Sequence, residues 1–125
     1  ETDPNGNTGG AGGRCLTATE LARFGQLYLQ NGMWEGKQLV PADWVRQSTS
    51  KQIQTPYRAD AQDWSYGYGY QFWCGPNGSY RADGKYGQYA LVLPDKNAVV
   101  GITSELHDHE QAILSCVWET IYLQL

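Results

Sequence analysis

No stretch of this sequence approaches the roughly 18 consecutive apolar residues that a membrane-spanning helix needs, so no helical span is expected. Cysteine is sparse. Cys15, Cys74 and Cys116 lie far apart and never fall in a C-x-x-C spacing, which argues against a zinc knuckle or a dithiol redox motif. Their odd number leaves at least one thiol free. Positive charge is also short: nine Lys and Arg against 13 Asp and Glu give a formal charge of −4, mixed along the chain. Phosphate binding needs a basic surface, so a nucleic-acid partner is not expected. No internal repeat or second core is legible, and a chain of this size can bury roughly two-thirds of the surface it exposes when unfolded. No leader peptide is recognisable. The abrupt start at Glu1 leaves a trimmed leader or a larger N-terminal part as open readings, and the compartment is not legible from composition.

Aromatics and glycine are what the chain has in quantity: five Trp, nine Tyr, two Phe and 15 Gly, which supply large core side chains and many turns. Residues 1–13, rich in Gly, Asn and Thr, suit a flexible or extended arm. Residues 14–125 are expected to form one domain. Thr17 followed by Glu20 predicts a capping box, and Ala18, Leu21, Ala22, Gly25, Tyr28 and Leu29 make one apolar helical stripe that Gly32 ends. Gly36 to Val40 reads as a turn and link, and Pro41 opens a second helix with Trp44, Val45 and Ser48 inward. A polar loop fills Thr49 to Ser65.

Tyr66, Tyr68, Tyr70 and Phe72 alternate with Gly67, Gly69 and Gln71, the period of a strand with one aromatic face. Gly75-Pro76-Asn77-Gly78 is a strong turn signal, and a strand enters at Ser79. Gln88 to Leu93 and Ala98 to Thr103 flank a Pro94-Asp95-Lys96-Asn97 turn and read as a hairpin in the middle of a sheet. The expected result is three antiparallel strands in a meander. A last helix begins near Asp108 as cap, with Gln111 at the capping-box position and Ile113, Cys116, Val117, Thr120 and Ile121 buried. The layout is α+β, with helices covering an antiparallel sheet.

Four groups of residues could carry chemistry. Ser48-Thr49-Ser50-Lys51 matches S-x-x-K, in which a lysine one turn on can deprotonate a serine nucleophile. This serine closes a helix instead of opening one, and no S-D-N or Y-x-N triplet completes such a site, so a solvated helix end is the preferred reading. His107-Asp108-His109-Glu110 could ligate a metal, yet acidic residues commonly gather at a helix start and the histidines are not four apart. No metal or other cofactor is therefore expected. The aromatic row, with Trp64 and Trp73, could stack sugars or bases, but more often such a row is the packed side of a sheet. Lys85-Tyr86-Gly87 has a K-x-G form, and on spacing alone a solvent-facing lysine in a glycine turn accounts for it. Gly84 and Gly87 stand where a strand lets something approach its backbone.

Taken together, the blocks GGAGGRCLTATELARFGQLYLQNGMWEGKQLVPADWV, YGYGYQFW, YRADGKYGQYALVLPDKNAVVGITS and EQAILSCVWETI resemble the C-terminal part of the serine β-lactamase-like hydrolases, which include class C β-lactamases, DD-peptidases and esterases. The resemblance spans nearly the whole chain in order. It implies that the S-x-x-K serine and lysine and the Y-x-N tyrosine lie upstream of Glu1, that the parent is a serine hydrolase of esters or amides, and that this chain alone is inactive. It also implies a small-molecule or peptide-like substrate bound together with that upstream part, in an extracytoplasmic (periplasmic or secreted) protein. The implied substrate edge comprises Ala82, Asp83, Gly84, Lys85, Gly87 and Gln88. Of two registers, Ala82-Asp83-Gly84 at the family's K-T-G or H-x-G position is preferred over Lys85-Tyr86-Gly87, and it makes Lys85 the backbone N–H donor. A non-catalytic binding or regulatory module, or a carbohydrate-binding domain using the aromatic row, is the alternative.

Overall fold

The computed structural model describes residues 2–7 and 15–125. The expected arm over residues 1–13 falls partly outside them. Within residues 2–7 the Asp3 carboxylate accepts hydrogen bonds from the Asn5 and Asn7 N–H groups and closes a tight loop.

Helix α1 spans Ala18–Leu29, and its capping box forms as expected: Thr17 Oγ1 accepts from the Glu20 N–H while Glu20 accepts from the Thr17 N–H. Its end differs in detail. Asn31, at φ 53°, takes the left-handed position, and Gly32 follows at φ 81° with its N–H donating to the Leu27 carbonyl. The Asn31 N–H donates to Tyr28, which completes a Schellman motif with asparagine where glycine is commoner. The link at 36–40 is in fact part of a hairpin. Strand β1 (Met33–Trp34) pairs with β2 (Lys37–Gln38) across Glu35 and Gly36, both left-handed as a tight two-residue turn requires. Helix α2 spans Ala42–Thr49 with Val45 and Ser48 buried, but Trp44 stays exposed and stacks on Tyr70.

Four strands, not three, form the main sheet in the order β3 (Trp73–Cys74), β4 (Tyr80–Gly84), β5 (Gln88–Leu93) and β6 (Ala98–Ile102), all antiparallel. The residues between Ser79 and Leu93 turn at Lys85–Gly87 and make two strands. The Pro94–Asn97 hairpin is present, with β6 at the end of this sheet. Tyr66–Phe72 is not a strand. Its backbone is bent by Gly67 at φ 114° and Gln71 at φ 66°, and only Tyr68 makes isolated bridges, to Ile53 and Trp73. The glycines alternate there for another reason: a Cβ on Gly69 would stand 2.1 Å from the Ser48 carbonyl oxygen, and one on Gly67 2.3 Å from Lys51. The aromatic residues therefore share no face. Tyr66 and Tyr70 are exposed, while Phe72 is buried against Tyr28 and Tyr80.

Strand β5 is the centre of the core. Tyr89, Leu91 and Leu93 pack with Leu114 and Val117 on one face, and Val92 packs with Phe72 and Tyr80 on the other, flanked by Tyr28, Leu29 and Val99 of the α1 side. Strict alternation explains this, and burial on both faces explains why the strand reads as a continuous apolar run. Helices thus cover both faces of an antiparallel sheet, the expected α+β layout.

Helix α3 spans Glu110–Cys116 and continues through a π turn, Val117–Ile121, and a 3-10 turn, Tyr122–Gln124. Asp108 does not cap it. At φ 63° its backbone turns away, His109 takes the cap position, and no side chain caps. The buried stripe is Leu114 and Val117, with Ile113 and Trp118 half-buried, while Cys116, Thr120 and Ile121 are exposed.

Helix α1 approaches β6 closely at Gly101, where a Cβ would lie 2.1 Å from the Ala18 carbonyl oxygen and 2.9 Å from the Ala22 nitrogen. Gly101→Ala is expected to lower unfolding stability by about 1–3 kcal/mol, the usual effect of overpacking. Urea unfolding of the chain checks this, and undiminished stability would mean that α1 is not seated on β6.

Candidate functional site

Strand β3 pairs with β4 only at Tyr80 and Arg81, so Ala82–Gly84 present an edge with no ladder partner among the described residues. A cavity of about 590 Å³ opens at the end of this edge. One wall is Asp83, Gly84, Lys85 and Tyr86; the second is Asp108–Ala112; the third is Arg58, Asp60, Ala61 and Trp64. The volume is within the range of small-molecule sites, about 300–1,000 Å³.

The site residues expected from the sequence divide between this cavity and its support. Asp83, Gly84 and Lys85 line the cavity, whereas Ala82 packs with Phe72, Tyr80 and Val92 on the other face. Lys85, Tyr86 and Gly87 form the β4–β5 turn, with Tyr86 at φ 67° and Gly87 at φ 85°. Among the described residues the Lys85 N–H has no hydrogen-bond partner. Gly87 is buried behind the turn, where a Cβ would stand 2.4 Å from Ile113 Cδ1. Gln88 pairs with Gly84, and its side-chain amide donates to the Ser104 carbonyl.

Beneath the cavity lies a charged network that the sequence does not announce. Arg81, 1% exposed, ion-pairs with Asp83 at 3.1 Å, donates to the Asp63 carbonyl at 3.1 Å, and lies 4.6 Å from the Trp64 ring centroid. The buried Asp63 carboxylate accepts from the Trp118 indole N–H at 2.8 Å and from the Gln111 side-chain amide at 2.5 Å. Gln111 also accepts from the Asp63 N–H, so it secures the 3-10 turn Gln62–Trp64 instead of capping its own helix. Sequence reasoning did not place Arg58, Asp60 or Gln111 at a site, and it named Trp64 only with the aromatic row; the one local hint was the Arg81 and Asp83 pair two residues apart in a short strand.

Burial pushes the Asp83 carboxyl above the usual carboxylate range, against the opposing pull of Arg81. Burial likewise raises the Tyr89 phenol, whose hydroxyl has no partner among the described residues, and raises Tyr80 to about 12. Two motifs that could have carried chemistry, though neither was expected to, take other roles. Ser48 is buried and donates to the Val45 carbonyl, while Lys51 bonds Gln54. His107 packs on the Tyr86 ring at 4.0 Å, and among the described residues no group of three or more His, Cys, Asp or Glu could hold a metal ion. No helix among them is long and apolar enough to cross a membrane.

An antiparallel sheet between helices, with a cavity at an open strand edge, defines an α+β architecture. The beta-lactamase family model matches residues 1–112, and the chain belongs to that family. It is also similar to the solved structure named "Putative 6-aminohexanoate-dimer hydrolase from Bacillus anthracis", with a TM-score of 0.62 and 29% sequence identity. That match covers 86% of this chain and 28% of the Bacillus anthracis chain, so the present chain spans little more than a quarter of that relative's length. No curated protein matches.

Because the Asp83 carboxyl holds its proton more tightly folded than unfolded, the folded state binds more protons in the window just above the usual carboxylate range. Stability must fall there as pH rises. Relative to Asp83→Asn, the wild-type chain is expected to lose stability with rising pH through that window, as read by denaturant unfolding at a series of pH values. A gain would show that the Arg81 pair outweighs burial.

Proposed function

We infer that this chain is the C-terminal portion of a serine hydrolase of the family, cleaving an ester or amide through an acyl-serine intermediate. The serine and lysine of S-x-x-K and the tyrosine of Y-x-N come from sequence preceding Glu1. This chain supplies the strand edge along which the acyl group lies. The observation that carries the reading is the unpartnered Lys85 N–H beside a cavity at the open end of β4.

When a serine oxygen attacks an acyl carbon, charge gathers on the former carbonyl oxygen, and a fixed N–H about 2.7–3.1 Å away stabilises it. The unpartnered N–H of Lys85, a residue lining the cavity, supports that role. The register that puts Ala82-Asp83-Gly84 on the strand and Lys85 after it is supported by geometry, since Lys85-Tyr86-Gly87 is a turn. In this register Ala82 stands where K-T-G relatives carry a lysine for a substrate carboxylate, which turns the proposal from β-lactams toward open-chain esters and amides. The 6-aminohexanoate-dimer hydrolase named for the Bacillus anthracis neighbour is consistent with an open-chain substrate. The chain by itself is expected to be inert, its Ser48 being buried and hydrogen-bonded within a helix end.

Gly84→Ala is the discriminating variant. A Cβ there would meet Gln88 Cβ at 3.0 Å, a tight but adjustable contact at ordinary φ, whereas Gly87 is held by its left-handed φ and by Ile113. In the longest natural form of the protein, Gly84→Ala should lower ester turnover on the order of 10²-fold by displacing the oxyanion donor. Stability should change by only about 1 kcal/mol. Ester hydrolysis measured beside the melting temperature tests this; unchanged hydrolysis with a lowered melting temperature would remove the site from this strand.

A further inference from the structure

The Lys85–Gly87 turn needs outside support. Tyr86 at φ 67° holds a left-handed conformation that side-chain-bearing residues seldom adopt, and Gly87 follows it at φ 85°. The support comes from the segment after β6. The Tyr86 carbonyl accepts from the Ser104 hydroxyl at 2.9 Å and from the Leu106 N–H at 3.1 Å. The same Leu106 N–H also lies 3.1 Å from Ser104 Oγ, so one hydroxyl is donor to the turn and acceptor from the segment that braces it. Gln88 ties the other side through the Ser104 carbonyl, and the His107 ring covers Tyr86. Ser104 itself is half-buried and lines no part of the cavity.

We propose that Ser104 is a positioning residue for the acyl-binding edge: its hydroxyl fixes the Tyr86 carbonyl and, through the Lys85–Tyr86 peptide that joins them, the place of the Lys85 N–H beside the cavity. The inference rests on the reading of Lys85 as oxyanion donor and assigns that donor's orientation to a residue that touches no substrate. A local turn preference cannot do this work, because Tyr86 is unsuited to its own conformation. The hydroxyl has the needed chemistry, being able to donate and accept at once.

The test uses the longest natural form with Ser104→Ala, Ser104→Cys and Ser104→Thr. It measures hydrolysis of a p-nitrophenyl ester and amide hydrogen exchange at Leu106. Ser104→Ala, and Ser104→Cys with its near-native volume, should lower kcat about tenfold or more at nearly unchanged KM, part of the 10²–10³ that losing such a donor costs. Both should speed exchange at Leu106. Ser104→Thr keeps the hydroxyl and should restore both readouts. Wild-type turnover in the Ala and Cys variants, or a loss in Thr as large as in Ala, would overturn the proposal. If the wild-type protein hydrolyses no ester, the hydrolase reading fails on its own, and exchange then decides the clamp: faster in Ala and Cys but not Thr upholds it, and unchanged exchange overturns it.

Discussion

A guanidinium cannot be buried without partners, and Arg81 at 1% exposure is the constraint around which the site is arranged. It is held from two directions, by a carboxylate two residues along its own strand and by the Asp63 carbonyl delivered by a loop 18 residues upstream, while its Nη2 has no hydrogen-bond partner among the described residues. That loop is held in turn by Gln111 and Trp118, on α3 and the π turn that continues it. Removing one partner from a buried charge pair commonly costs about 3–5 kcal/mol, so the strand, the 3-10 turn and the C-terminal helix are bound to one another by chemistry as well as by apolar contact.

The cavity is the space these three segments leave above that network. Asp83 belongs to both, pairing with Arg81 below and lining the cavity above, and its raised pKa reflects that half-withdrawn position. The β4–β5 turn closes one wall and is braced by residues 104–107. The proposed donor role asks for a rigid backbone, and the turn is held by a short antiparallel ladder on one side of Gly84 and hydrogen bonds to a following segment on the other.

Much of the fold was legible where the signal is local. The Thr17–Glu20 capping box is a four-residue feature and formed as read; β5 and β6 are short apolar runs around a Pro-Asp-Lys-Asn turn and formed as well. Misreadings arose where distant backbone decides. Gly67 and Gly69 imitate strand alternation, but each is small because residues 48–53 pass against it. Asp108 and Gln111 imitate a capping pair, but Gln111 is drawn to Asp63, 48 residues away. Glu35-Gly36 is a turn whose glycine was noticed and whose hairpin was not. At the site, Asp83, Gly84 and Lys85 were reachable through family resemblance, while Arg58, Asp60 and Trp64 come from a loop whose polar sequence gives no hint of where it folds back.

The central claim is that the backbone N–H of Lys85 serves the acyl group. It is tested most directly by trapping the longest natural form with a fluorophosphonate or a slowly released ester and solving the structure of the adduct. The account predicts a covalent bond to an upstream serine, with the adduct's oxygen about 3 Å from the Lys85 nitrogen and its acyl or phosphonyl group along Ala82–Gly84. An adduct whose oxygen is bound elsewhere, with the Lys85 N–H still facing solvent, would contradict it.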